Sequence, residues 1–88
     1  MSMSEIKVGS AVLCIAGKEK GSIFAVVGRE SGRLLICDGR TRRQNKPKIK
    51  SEKHCKALNI TLPGESFDSN RKLRAALRNV RTMQFKEV

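Results

Sequence analysis

Val8-Gly9-Ser10-Ala11-Val12-Leu13-Cys14-Ile15-Ala16-Gly17-Lys18-Glu19-Lys20-Gly21-Ser22-Ile23-Phe24-Ala25-Val26-Val27 holds two apolar runs, Ala11 to Ala16 and Ile23 to Val27, joined by a polar segment with glycine at each end. Short apolar runs rich in β-branched residues and bounded by glycine read as strands. Glycine enters positive φ at little steric cost, so Gly17 and Gly21 suit a tight turn. The stretch therefore predicts a β-hairpin that presents Lys18, Glu19 and Lys20 at its tip.

The pattern continues outward. Gly28 to Gly32 holds a second turn, and Leu34 to Cys37 forms a third apolar run closed by the turn pair Asp38-Gly39. Glycine-punctuated runs at roughly ten-residue spacing indicate a small antiparallel sheet or barrel. Arg40 to Lys50 is too polar for a central strand, and Pro47 confines it to an edge or a loop. His54 to Leu62 reads as one more strand, with Cys55, Ala57 and either Leu58 or Ile60 packing inward. After Pro63-Gly64 the period changes. Leu73, Ala76, Leu77 and Val80 recur at the spacing of one helical face, which predicts a helix over 69–82. Asp68 or Ser69 caps it, and Phe67 staples it to the sheet. Arg71, Arg74, Arg78 and Arg81 fall together on a neighbouring face, expected to point to solvent. Arg29 and Arg33 flank a turn and are expected to be solvated as well.

With 88 residues, the chain supports one modest core. Residues 1–62 are expected to form the barrel, and residues 63–88 a linker and a helix packed on it. No apolar run approaches the length of a membrane span, and Met1 to Lys7 carries no apolar signal segment. Three widely spaced cysteines, Cys14, Cys37 and Cys55, do not form a disulfide framework and suit a reducing cytoplasm.

The net charge is +11, and it is concentrated. Residues 1–39 carry a net +1, residues 40–56 a net +7 and residues 57–88 a net +3. A balance this basic calls for a polyanionic partner. The first part reads as scaffold. The cluster Arg40, Arg42, Arg43, Lys46, Lys48, Lys50, Lys53 and Lys56 reads as the working surface.

The hairpin also resembles the KOW motif, in which a leading glycine and an apolar strand precede a Gly-Lys-x-Lys-Gly turn and a second apolar strand. The continuations Ile36-Cys37-Asp38-Gly39-Arg40 and Lys46-Pro47-Lys48-Ile49-Lys50-Ser51-Glu52-Lys53-His54 extend the likeness. It covers about residues 8–62 and resembles the branch that contains large-subunit ribosomal proteins of archaeal and eukaryotic type and their small bacterial relatives. The chain departs from the motif at Phe24, where many KOW sequences have glycine. The resemblance implies an SH3-like barrel that binds RNA, with ribosomal RNA of the large subunit as the expected partner. The full expectation is a mainly β protein, a small SH3-like barrel of the KOW type with a C-terminal α-helix.

The chemistry of the residues points the same way. Lysines on a rigid hairpin tip offer ammonium groups to phosphates, and arginines fork onto two phosphate oxygens at once. The expected RNA-binding residues are Lys18, Lys20, Arg40, Arg42, Arg43, Lys46, Lys48, Lys50, Lys53, His54, Lys56, Arg71, Arg74 and Arg78. Tyr and Trp are absent and no phenylalanine lies among the basic residues, so stacking on bases is not expected. Recognition by shape and phosphate spacing, with strong salt dependence, is expected instead.

No other constellation competes. One His and three scattered Cys lack the paired spacing of a zinc site, so no metal or cofactor is expected. His54 and Cys55 are adjacent on a strand and point to opposite faces, which disfavours a nucleophile pair. No glycine-rich loop opens a helix, so neither an enzyme nor a small-molecule substrate is expected. The alternative is a KOW barrel that binds protein in a transcription or translation complex. A proline-rich ligand needs aromatic walls the chain lacks. The helix has no bulky aromatic on its apolar face for membrane adsorption. Self-repulsion of the basic surface favours a monomer.

Overall fold

Both runs of the hairpin are strands in the computed structural model, which describes residues 6–84. Residues 1–5 and 85–88, the outer ends of the two predicted segments, lie outside the described residues, and Phe85 and most of Met1 to Lys7 lie with them. β1 (Ser10–Cys14) pairs antiparallel with β2 (Ile23–Glu30), with Val12 opposite Phe24. β3 (Arg33–Cys37) pairs with β2, and β4 (Lys48–Ser51) pairs with β3. β5 (Cys55–Thr61) returns to the far side of β1, giving one antiparallel sheet of order β4-β3-β2-β1-β5. β4 is an edge strand, as Pro47 at its start requires.

The outermost strands of this order, β4 and β5, are joined by a single 3-10 turn, Glu52–His54. Across a flat sheet they would stand about 19 Å apart. A three-residue 3-10 turn spans about 6 Å. The sheet must therefore curl until its edges approach, which makes it barrel-like. Two slips in register supply the bends. Val26 faces Ile36 and Gly28 faces Leu35, so Val27 is an extra residue. Leu58, Asn59 and Ile60 together oppose Ala11, with Asn59 at φ 59°. Bulges of this kind raise local twist and turn the corners of small barrels.

The curled sheet is buried on both faces. Val12, Cys14, Phe24, Val26, Leu34, Ile36 and Cys55 fill its interior. Alternate residues of the same strands, Ala11, Ile23, Ala25 and Cys37, meet Leu73, Leu77 and Val80 on the outer face. Those three come from α1 (Asn70–Gln84), and each contributes about 1.5–3 kcal/mol through its burial. Burial on both faces is why the first two runs read as continuous rather than alternating. In β5, Cys55 and Ala57 point inward while Leu58 and Ile60 join the helix side, so both residues pack.

Ser69, not Asp68, caps α1, since its Oγ accepts the Lys72 amide at 3.1 Å. Phe67 lies in a 3-10 turn, Gly64–Asp68, and packs half-buried against the helix-side cluster. Arg29 is not merely solvated. Its guanidinium donates to the Ile6 carbonyl and pairs with Glu52 at 2.9 Å, tying the start of the described chain to the β4–β5 turn. No described helix is long and apolar enough to cross a membrane.

Candidate nucleic-acid interface

The loop after β3 is organised by one carboxylate. Asp38 Oδ1 accepts the amides of Arg40 at 2.8 Å and Arg42 at 2.9 Å, and its Oδ2 accepts the Thr41 hydroxyl at 2.8 Å. Burial pushes the Asp38 pKa up, but these donors outweigh it and hold the carboxyl below its ordinary range. The loop closes as the amides of Asp38 and Gly39 donate to the Arg42 carbonyl. Arg40, Arg42 and Arg43 thus extend from an ordered turn and are exposed.

α1 clamps this loop. Arg74 Nη1 donates to the Gly39 carbonyl at 2.9 Å, and Asn70 Oδ1 accepts the Gln44 amide at 3.0 Å. Gly39 adopts φ +76°, and a Cβ there would stand 2.4 Å from the Asn70 carbonyl oxygen. The sequence pattern points the helix arginines to solvent, with Arg71, Arg74 and Arg78 available to RNA. Arg74 instead anchors the loop, and Arg81 Nη1 reaches the Gly21 carbonyl at 3.4 Å at the base of the β1–β2 turn.

The hairpin tip is held from below. Lys50 is buried, 8% exposed, and its ammonium donates to the Ala16 carbonyl at 2.9 Å and to Glu19 Oε1 at 3.2 Å. Lys48 donates to the other oxygen of Glu19 at 2.6 Å. Both lysines were expected to face RNA. Lys50 is withdrawn into the fold and Lys48 is half-buried on Glu19, because alternate residues of β4 point to the same face. A Cβ on Gly17 would meet Lys50 Nζ at 2.6 Å. The missing side chain at Gly17 therefore makes room for an internal ammonium.

Hydrogen bonds from Lys48 and then Lys50 hold the Glu19 carboxyl down at about 2, against an ordinary value of 4.5. A carboxyl depressed by folding contributes stability that is complete above its unfolded pKa and is lost as pH falls through its folded pKa. Glu19 thus adds to a loss of stability between pH 4.5 and about 2. Glu19→Gln is expected to flatten the dependence of thermal midpoint on pH within that window. It also lowers the midpoint at neutral pH by leaving buried Lys50 without its carboxylate. Melts of both proteins from pH 2 to 7 check this.

Two open cavities adjoin on this side of the molecule. One, of about 650 Å³, receives Lys18, Arg40, Arg42 and Lys48. The other, of about 240 Å³, lies between the loop and the helix and receives Arg40, Arg74, Arg78 and Arg81. Asp38 and Arg40 border both and Glu19 lines the larger, so a lining with more basic than acidic side chains runs from the hairpin tip to the helix. Among the described residues, the side chains of Lys18, Lys20, Arg40, Arg42, Arg43 and Arg78 have no hydrogen bond or ion pair within the chain.

Lys20 and Arg43 are exposed beside these cavities' basic residues in the chain but line neither, and the remaining predicted residues stand apart. Lys46 is exposed on the loop before Pro47, and Arg71 is exposed in the first turn of α1, lining neither cavity. Lys53 and His54, on the 3-10 turn, and Lys56, on β5, are exposed, and Lys53 borders a different cavity beside Arg29. Arg81 was absent from the predicted set although it shares the arginine face. Asp38 reads as a turn residue, and its bonds to groups two to four residues ahead are the local pattern by which an Asp side chain orders such a turn. Phe24 is buried and Phe67 half-buried, so neither offers a free ring to a base. Among the described residues no three of His, Cys, Asp and Glu are grouped to hold a metal ion.

Compared with known proteins, the chain matches no family model and no curated protein.

Proposed function

We propose that this protein is a non-enzymatic RNA-binding protein of the KOW type that grips the phosphate backbone of structured RNA. The observation that carries the reading is the pair of adjoining cavities joined at Asp38 and Arg40, with lysine and arginine from the hairpin turn, the arginine loop, β4 and α1 in their walls. A surface of this kind fits a polyanion whose charges repeat along a chain. Lys18 and Lys20 meet one stretch of backbone from the hairpin tip. Arg40, Arg42 and Arg43 meet the next from the loop, and Arg78 extends the footprint along the helix. Positioning by phosphate contacts with no stacked base suits folded RNA read by shape. Ribosomal RNA of the large subunit is the target class that the KOW resemblance favours, with the protein acting as a monomer in the cytoplasm.

The test is a salt titration of binding to a structured ribosomal RNA fragment. With about six phosphates neutralised, the logarithm of the association constant should fall with the logarithm of salt at a slope of roughly −4 to −5. In a cell lysate at moderate salt, the protein should sediment with the large ribosomal subunit and leave it after ribonuclease treatment. A slope near zero, or association that survives ribonuclease, would overturn the reading in favour of a protein partner.

A further inference from the structure

We propose that Cys14 and Cys55 are a thiol modification site, joined into a reversible intramolecular disulfide by a hydroperoxide. The two residues face each other across the β1–β5 pair. The Ile15 amide donates to the His54 carbonyl at 2.9 Å, so the neighbouring pair is the hydrogen-bonded one. Cys14 and Cys55 therefore occupy a non-hydrogen-bonded position, where antiparallel backbones come closest, at about 4.5 Å between Cα atoms. That lies within the span a disulfide bridges. Both side chains point to the same side of the sheet, into the interior cluster. Cys37 lies in the other cluster, against the helix, and is not placed to compete.

The two thiols are not equivalent. Cys55 is buried but 8% exposed and borders an open cavity walled by Arg29, Gly32, Ser51, Glu52 and Lys53, whereas Cys14 is 1% exposed. Cys55 is thus the sulfur a small oxidant meets first. The neighbouring Cys14 thiol and the charge of Lys50 lower the Cys55 thiol against the opposing effects of burial and Glu52, and in the reduced chain Cys55 Sγ donates to the Ser51 carbonyl at 3.6 Å. The same pairing, with burial, pushes the Cys14 thiol up. Burial, with the Asp38 charge, raises Cys37 to about 11 and keeps it unreactive.

The chemistry balances with hydrogen peroxide as the oxidant. The Cys55 thiolate attacks one peroxide oxygen and the O–O bond breaks. The departing hydroxide takes up the proton that Cys55 released, giving water and a sulfenic acid. Cys14 sulfur then attacks Cys55 sulfur. The S–S bond forms as the S–O bond breaks, and the leaving hydroxide takes the Cys14 proton as a second water. Two thiols are oxidised by two electrons and one peroxide is reduced. The bridge fixes β1 to β5 and closes the chain from 14 to 55.

The experiment treats the reduced chain with hydrogen peroxide, alkylates the remaining thiols under denaturing conditions and maps the peptides. The expected result is loss of two of the three thiols, a Cys14–Cys55 linked peptide and an alkylated Cys37. Dithiothreitol should reverse it, and the oxidised chain should melt roughly 10 °C higher. In Cys14→Ser, Cys55 should stop at the sulfenic acid and be labelled by dimedone. Cys37→Ser should keep the bridge. Three alkylated thiols after exposure that oxidises a free thiol peptide, a bridge to Cys37, or only intermolecular dimers would each overturn the proposal. Mapping of the unmodified chain decides the matter even if a variant folds poorly.

Discussion

Gly39→Ala is expected to lower the thermal midpoint by about 15 °C and to weaken RNA binding with it. Two costs coincide at this residue. Its φ of +76° lies where a side chain is strained by about 1 kcal/mol or more. The added Cβ would also stand 2.4 Å from the carbonyl oxygen of Asn70 and 3.2 Å from its carbonyl carbon. These are backbone atoms of the first turn of α1, so no rotamer relieves the clash. The helix or the loop must shift, and the helix is held by Leu73, Leu77 and Val80. A total of about 3 kcal/mol follows, and in a domain of this size each kcal/mol moves the midpoint by about 4–8 °C. The loop that yields carries Arg40 and Arg42, and its anchors to Arg74 and Asn70 are the contacts disturbed. Gly21→Ala separates the two costs. Its φ is +90°, but a Cβ there meets nothing within 4 Å, so the expected loss is about 5 °C. Equal losses in the two variants would show that crowding against α1 contributes nothing. Differential scanning calorimetry of both variants makes the comparison.

The same contact shows where reading the sequence stopped short. The strands of the first three runs were legible because burial on both faces leaves few polar residues among the apolar ones, and glycine marks their ends. The helix was legible because Leu73, Leu77 and Val80 keep one face, and its observed span, Asn70–Gln84, extends the predicted one by two residues at the C-terminal end. The working surface was legible only as a density of charge. Lys48 and Lys50 look no different in the sequence from Arg40 and Arg42. What separates them is Glu19, far away along the chain, brought beneath β4 by the curl of the sheet. In the same way, Lys53 and His54 fall on the 3-10 turn Glu52–His54 and Lys56 on β5, and none of the three lines either cavity. Local pattern fixes which face of a strand a residue takes only when the pairing of that strand is known. Pairings over long sequence separations are what local periodicity does not encode.

Neutralising Arg40, Arg42 and Arg78 together to Gln should weaken binding to structured RNA by roughly 100-fold at about 0.1 M salt. Each phosphate contact contributes about 0.7–0.9 to the slope of log affinity against log salt. Three lost contacts should therefore flatten the slope by about 2–3, which extrapolates to about two decades at 0.1 M. None of these three side chains has a partner within the described chain, whereas Arg74 holds the loop and Lys48 and Lys50 hold the hairpin. The fold should survive, with a midpoint within a few degrees of the unmodified protein. A second triple, Lys53→Gln, Lys56→Gln and Arg71→Gln, removes the same charge at positions that line neither cavity. It should cost under about tenfold, since only the long-range attraction is reduced. The comparison distinguishes a built surface from bulk charge. If both triples weaken binding equally, affinity follows net charge alone and the two cavities have no special role. If only the first does, with the flatter slope, the phosphates lie against the arginine loop that Asp38 orders and α1 clamps.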